Sequence, residues 1–85
     1  MPSNLSDYSY RAFVGHLTQL RRAAGVSQAE LGARLGKPQS WVHKIERHQR
    51  RADPAEFWKW CAALGLDAPA EFGRVVAQLE APPKA

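Results

Sequence analysis

The chain is predicted to be all-α, one small domain of five helices, and three observations carry that prediction. Apolar residues recur at helical spacing in five separate blocks. The blocks are separated by stop and start signals: Gly25 before Ser27-Gln-Ala-Glu30, Gly36 before Pro38, Asp53-Pro54-Ala-Glu56, and Gly65 before Pro69-Ala-Glu71. No stretch alternates apolar and polar residues as a strand would, and no internal repeat is visible. At 85 residues the chain exceeds the size that needs metals or several disulfides, yet it buries only a modest core.

After a polar arm that reaches Asp7, Tyr10, Phe13, Val14, Leu17 and Leu20 mark the first helix, which ends at Gly25. The second helix opens on a capping box. Ser27 accepts from the Glu30 amide while Glu30 reaches back, and Gly36 ends the helix in the left-handed conformation. Pro38, its φ already set, suits the first turn of a third helix that runs to Arg47. A basic loop, HQRRA, follows. Asp53, Pro54 and Glu56 then start a fourth helix with the apolar face Phe57, Trp60, Cys61 and Leu64. Pro69 and Glu71 start the fifth, where Phe72, Val75, Val76 and Leu79 repeat that spacing. The tail APPKA, residues 81–85, is predicted to be disordered.

Composition narrows the function. No apolar run is long enough to cross a bilayer, and the N-terminus lacks a secretory pattern, so a soluble cytoplasmic protein is expected. One cysteine, Cys61, cannot form an internal disulfide, which fits a reducing compartment. The net charge is +4, but its distribution says more: residues 34–51 hold Arg34, Lys37, Lys44, Arg47, Arg50 and Arg51 against one acid, Glu46. Such a run marks either a solvated face or a surface for a polyanion.

Residues 27–46 combine these features as two short helices joined by a tight turn, a helix-turn-helix pattern. Leu31 and Leu35 stand one turn apart on one helix, and Val42 and Ile45 on the other, so each offers a narrow apolar seam. Gly32 lies between the leucines. A mid-helix glycine costs about 1 kcal/mol relative to alanine, which points to close approach of the third helix. With Val42 and Ile45 turned inward, Ser40, His43, Lys44 and Arg47 face outward and Gln39 projects from the first turn. The major groove of DNA admits such a helix: Gln suits adenine, Lys suits guanine O6 and N7, and Ser is tolerant. His43 would add a mild pH dependence. Arg47 at the helix end and Arg50 and Arg51 on the loop beyond are assigned to phosphates.

The stretch LRRAAGVSQAELGARLGKPQSWVHKIERHQRR, with ALG at 63–65, resembles the lambda-repressor-like, or XRE, family of helix-turn-helix regulators over residues 13–66. Gln28, Leu31, Gly32, Leu35, Gly36, Val42 and Ile45 occupy the family's spacing. The resemblance implies that Gln28 touches a phosphate and braces the recognition helix, and that Gln39, Ser40 and Lys44 fall on base-reading positions. It also implies an ion pair, Arg21 with Glu46, joining the first helix to the third. Two positions depart from the pattern. Lys37 stands where Ser or Thr commonly caps the third helix and supplies a phosphate-reaching cation instead. His48 replaces the glycine usual after the recognition helix and must accept a left-handed backbone at some cost.

Other chemistries find little support. His16, His43, His48 and Cys61 give no metal-ligand spacing, and no nucleophile has a recognisable base, so neither a metal, a cofactor nor an enzymatic activity is expected. RNA binding lacks a stacking sheet or clamp loop. Trp60 belongs to the core stripe, and Trp41 stands at its border, read as core packing with thymine-methyl contact as the alternative. Trp58 lies off the stripe and is a candidate subunit contact. Four helices complete the DNA-binding unit in this resemblance, assigned here to residues 8–66. The helix over 67–80, with Phe72, Val75, Val76 and Leu79, is then either core or a dimerisation element. The expected function is a repressor that binds an inverted repeat in double-stranded DNA as a homodimer. The alternative is an antitoxin-like or adaptor module that uses the same fold to bind a partner protein.

Overall fold

The computed structural model describes residues 7–81. The N-terminal arm before Asp7 and all of the tail beyond Ala81 lie outside the described residues. Five helices follow one another: α1 Tyr8–Ala23, α2 Gln28–Leu35, α3 Gln39–Glu46, α4 Pro54–Ala63 and α5 Ala68–Glu80. The described residues contain no strand. None of these helices is long and apolar enough to cross a membrane.

Helix ends largely follow their signals, with instructive departures. Asp7 caps α1 by accepting from the Ser9 and Tyr10 amides at 3.1 and 3.4 Å. Ser27 accepts from the Glu30 amide at 3.0 Å, but the expected return half of that box is absent, because the Glu30 carboxylate pairs with Arg34 at 2.7 Å instead. The Asp53–Glu56 box is complete, with bonds of 2.8 and 3.0 Å. Pro38 stands at the N-cap of α3 rather than inside its first turn, and no side chain caps that helix. Asp67, rather than Pro69, begins α5 by accepting from the Ala70 amide at 3.0 Å.

Gly36 ends α2 with φ 68°, and the α2–α3 turn folds back so that Lys37 N–H donates to the Gly32 carbonyl at 2.8 Å. Here the missing side chain of Gly32 is used. A Cβ at this position would sit 2.7 Å from the Lys37 carbonyl oxygen and 3.2 Å from the Pro38 backbone. The close approach is therefore by the turn entering α3, not by α3 itself.

One cluster, Leu17, Val26, Leu31, Val42, Ile45, Phe57, Trp60 and Cys61, forms the core and draws on α1 to α4. Each such side chain contributes about 1.5–3 kcal/mol on burial, which makes it the main source of stability. Trp60 is fully buried and its indole N–H donates to the Leu17 carbonyl at 3.1 Å, so this large side chain leaves no unpaired donor. Burial, reinforced by the Glu71 and Asp67 carboxylates, pushes the Cys61 thiol up to about 11 and keeps it unreactive near neutral pH.

Helix α5 packs across α1 and α4. Val75 is 1% exposed and belongs to this chain's own interior, which corrects its assignment to a subunit contact. Val76 and Leu79 are half-buried, while Phe72 remains 50% exposed. Glu71 is buried beside them and lies 2.9 Å from His16 Nε2 of α1 and 2.6 Å from Arg74.

Candidate nucleic-acid interface

The outward face of α3 is set by what its inward face buries. Val42 and Ile45 are 0% exposed, so Gln39, Ser40, His43, Lys44 and Arg47 are left in solvent along the opposite side. A chain of hydrogen bonds then holds this helix to α1 and α2. Arg21 donates to Glu46 from Nε at 2.6 Å and from a terminal nitrogen at 2.9 Å, and its other terminal nitrogen donates to the Val26 carbonyl at 2.9 Å. Gln28 Nε2 donates to Glu46 at 2.8 Å, and Gln39 Nε2 donates to Gln28 Oε1 at 3.2 Å. The network thus runs from inside α1 to the first residue of the exposed α3 face.

The Arg21–Glu46 pair expected from the resemblance is therefore present, and its geometry is bidentate. The carboxylate hydrogen bond is the main reason the Arg21 guanidinium is held above its ordinary range, against the opposing effect of burial. Gln28 spends both ends of its amide inside the protein, on Glu46 and Gln39, which makes it a brace for Gln39.

The loop after α3 is more ordered by its own contacts than a run of free cations would be. Arg50 grips Glu56 through two bonds of 3.1 and 3.0 Å and donates to the Arg51 carbonyl at 2.8 Å. Its Cζ also lies 5.1 Å from the centre of the Trp41 ring. The Arg50 bond holds the Glu56 carboxyl below its ordinary range. The assignment of Arg50 to phosphates meets a competitor, since its guanidinium pairs with a carboxylate and lies over an indole. Arg47, Arg51 and Lys37 stay exposed, with Lys37 Nζ 5.5 Å from the centre of the Trp41 ring and Arg51 Cζ 4.6 Å from that of Tyr10.

Trp41 itself is half-buried, its ring 6.5 Å from that of Trp60, so it is a core-border residue capped by two cations. His48 takes the left-handed conformation that its position required, with φ 61°. Its Nδ1 is buried without a partner. Burial first, then the nearby Arg11 and Arg47, pushes its pKa below the ordinary value.

Several structural contributors are invisible in local sequence. Tyr10 accepts from the Ala52 amide through its hydroxyl at 2.9 Å, Arg34 donates to the Ala63 carbonyl at the end of α4 at 2.9 Å, and His16 reaches Glu71. Each joins residues far apart in the chain, and only a helix-end carbonyl lacking a partner hints at the role of Arg34. Among the described residues, no three His, Cys, Asp or Glu side chains gather as a metal site.

Comparison with known proteins agrees with this architecture. A family model described as a helix-turn-helix domain matches residues 12–75. A solved structure of an XRE-family like protein from Pseudomonas syringae pv. tomato str. DC3000 is similar at 40% identity and a TM-score of 0.81, covering 89% of this chain and 98% of that one. No curated protein matches the chain significantly. With the family match spanning most of the chain and the buried α2–α3 seam in place, the chain belongs to the XRE-like helix-turn-helix family of DNA-binding regulators.

Proposed function

We propose that the protein is a repressor that binds an inverted repeat in double-stranded DNA as a homodimer and acts by occupying a site that overlaps a promoter. The observation that carries this reading is the exposed row Gln39, Ser40, His43 and Lys44 on a helix whose reverse face is sealed into the core. Gln39 supplies a donor and an acceptor for an adenine edge and Lys44 supplies donors for guanine O6 and N7, each good contact discriminating by about 1–3 kcal/mol. Lys37, Arg47 and Arg51 supply phosphate contacts, and Gln28 positions Gln39 while remaining near the backbone. A DNA partner also implies an intracellular setting. Two recognition helices on a two-fold axis would sit roughly 34 Å apart, one turn of the duplex.

The test is selection of bound duplexes from a random pool, which reports the site, its symmetry and its spacing together. A palindromic site with half-sites one turn apart is expected. Lys44→Ala and Gln39→Ala should then change the preferred bases, and an unaltered preference in both variants would sink the readout.

Support for self-association comes from the exposed aromatics. Trp58 is 59% and Phe72 50% exposed, and with Phe13, Phe57, Pro54 and Pro69 they line an apolar groove of about 360 Å³ between α1, α4 and α5. The same groove favours the second reading, an adaptor that holds a partner protein there. Sedimentation of the isolated chain separates them: a dimer supports the first, and a monomer the second.

A further inference from the structure

Of the eight arginines in the chain, four have a carboxylate partner: Arg21 with Glu46, Arg34 with Glu30, Arg50 with Glu56 and Arg74 with Glu71. Among the described residues, Arg11, Arg22, Arg47 and Arg51 have none. Three of those four stand on segments that meet, the first turns of α1 and the end of α3 with the loop beyond it. Arg51 stacks 4.6 Å from the ring of Tyr10, the residue before Arg11, and the Tyr10 hydroxyl accepts from the Ala52 amide at 2.9 Å. The first turns of α1 are thereby tied to the loop that leaves α3. Arg11 and Arg47 both approach His48 closely enough to depress its protonation. The acids nearest in sequence are engaged elsewhere: Asp7 accepts from the Ser9 and Tyr10 amides, Glu46 from Arg21 and Gln28, and Asp53 from the Glu56 amide.

We propose that Arg11 of α1, together with Arg47 and Arg51, forms a phosphate clamp at the C-terminal end of the recognition helix, so that α1 takes part in gripping the duplex. This rests on the DNA-binding reading above and adds to it a residue and an element that the sequence did not point to. The physical case is charge crowding. Like charges brought together without a carboxylate repel one another, whereas four of the five other arginines have an acidic partner. A phosphate supplies the missing anion and accepts the planar donor fork of arginine in two-point fashion. The location suits that ligand, because a recognition helix reads bases from its N-terminal residues and its far end and following loop meet the sugar-phosphate backbone. Arg51 is held by the Tyr10 face, and α1 fixes the backbone from which Arg11 projects.

The experiment measures affinity against salt for the full chain, using the duplex that the wild type selects from a random pool and a mixed-sequence duplex of equal length. Arg11→Gln should weaken binding to both duplexes alike and make the log-log salt slope shallower by about one unit, as Arg51→Gln does. Between 50 and 200 mM salt the variant's loss of affinity would then be about three- to fourfold smaller than the wild type's. Arg11→Lys should restore most of the slope, and Lys59→Gln, an exposed cation on α4, should leave it unchanged. A wild-type slope in Arg11→Gln, while Lys44→Ala still weakens the selected site, would overturn the clamp and leave the DNA-binding reading intact. Failure of the wild-type chain to select or bind any duplex would overturn both. Thermal melts of Arg11→Gln and Arg11→Lys establish that each is folded, and the comparison of the two isolates charge from packing.

Discussion

At the scale of single residues, His48 carries two strains at once. It holds φ 61°, where a β-carbon is crowded, and it buries an unpartnered ring nitrogen. Glycine relieves both. His48→Gly is expected to raise stability by up to about 1 kcal/mol, read as a higher midpoint in thermal or urea unfolding. The same variant should alter the pH profile. The folded-state pKa of His48 lies below its ordinary value of 6.5, so the unfolded chain binds the proton more readily. Stability should therefore be unaffected by this residue well above pH 6.5 and fall as the pH drops below it. His48→Gly should flatten that fall, and an unchanged profile would count against the role. Arg21 and Glu46 make a contrasting case. Both are nearly buried, so removing one leaves an uncompensated charge and should cost about 3 kcal/mol. Arg21→Met with Glu46→Leu should cost less than the sum of the single changes, and simple additivity in chemical unfolding would remove the coupling.

At the scale of elements, the α2–α3 angle depends on backbone meeting backbone at Gly32. Alanine would gain about 1 kcal/mol in helix propensity there. Its β-carbon would nonetheless stand 2.7 Å from the Lys37 carbonyl, so the turn must move. Gly32→Ala is expected to destabilise by about 1–3 kcal/mol and to lower affinity for the selected duplex beyond what unfolding explains. The loop from α3 to α4 makes a second test of how elements are held. Arg50 fastens that loop to α4 through Glu56 and covers Trp41, so Arg50→Gln should lower the melting temperature while changing the salt slope less than Arg51→Gln does. A full unit of slope lost in Arg50→Gln would mean that the guanidinium leaves Glu56 for a phosphate.

At the scale of the whole molecule, the buried side of α5 and the outer surface it shares with α4 do different work. Val75 and Glu71 are spent on α5's own docking, whereas Trp58 and Phe72 rim a groove open to solvent. Trp58→Glu with Phe72→Glu should leave the chain folded, because both side chains are at least half exposed, and should convert a sedimenting dimer to a monomer. Loss of the dimer should reduce affinity for a two-half-site duplex by about 10²–10⁴ while a single half-site is bound as before. A double variant that still sediments as a dimer would move the subunit contact elsewhere.

Much of the fold was legible because its signals are local. Helical spacing of the apolar residues, the Gly36 stop, the Asp53-Pro54 start and the turn at Gly25 each act within a few residues, and all five helices follow from them. The exposed α3 face was legible too, since burying Val42 and Ile45 leaves one set of positions for the groove. The Arg21–Glu46 pair came only from family resemblance, because residues 25 positions apart carry no local sign of contact. What tertiary structure alone decided is where the charged side chains spend themselves. Glu30 turns to Arg34 and not to its own helix start, Arg50 turns to Glu56 and Trp41, and Val75 faces inward. Tyr10 ties the first turns of α1 to the loop beyond α3 for the same reason. A long, flexible cation can reach many partners, and only the packing of helices against one another selects among them.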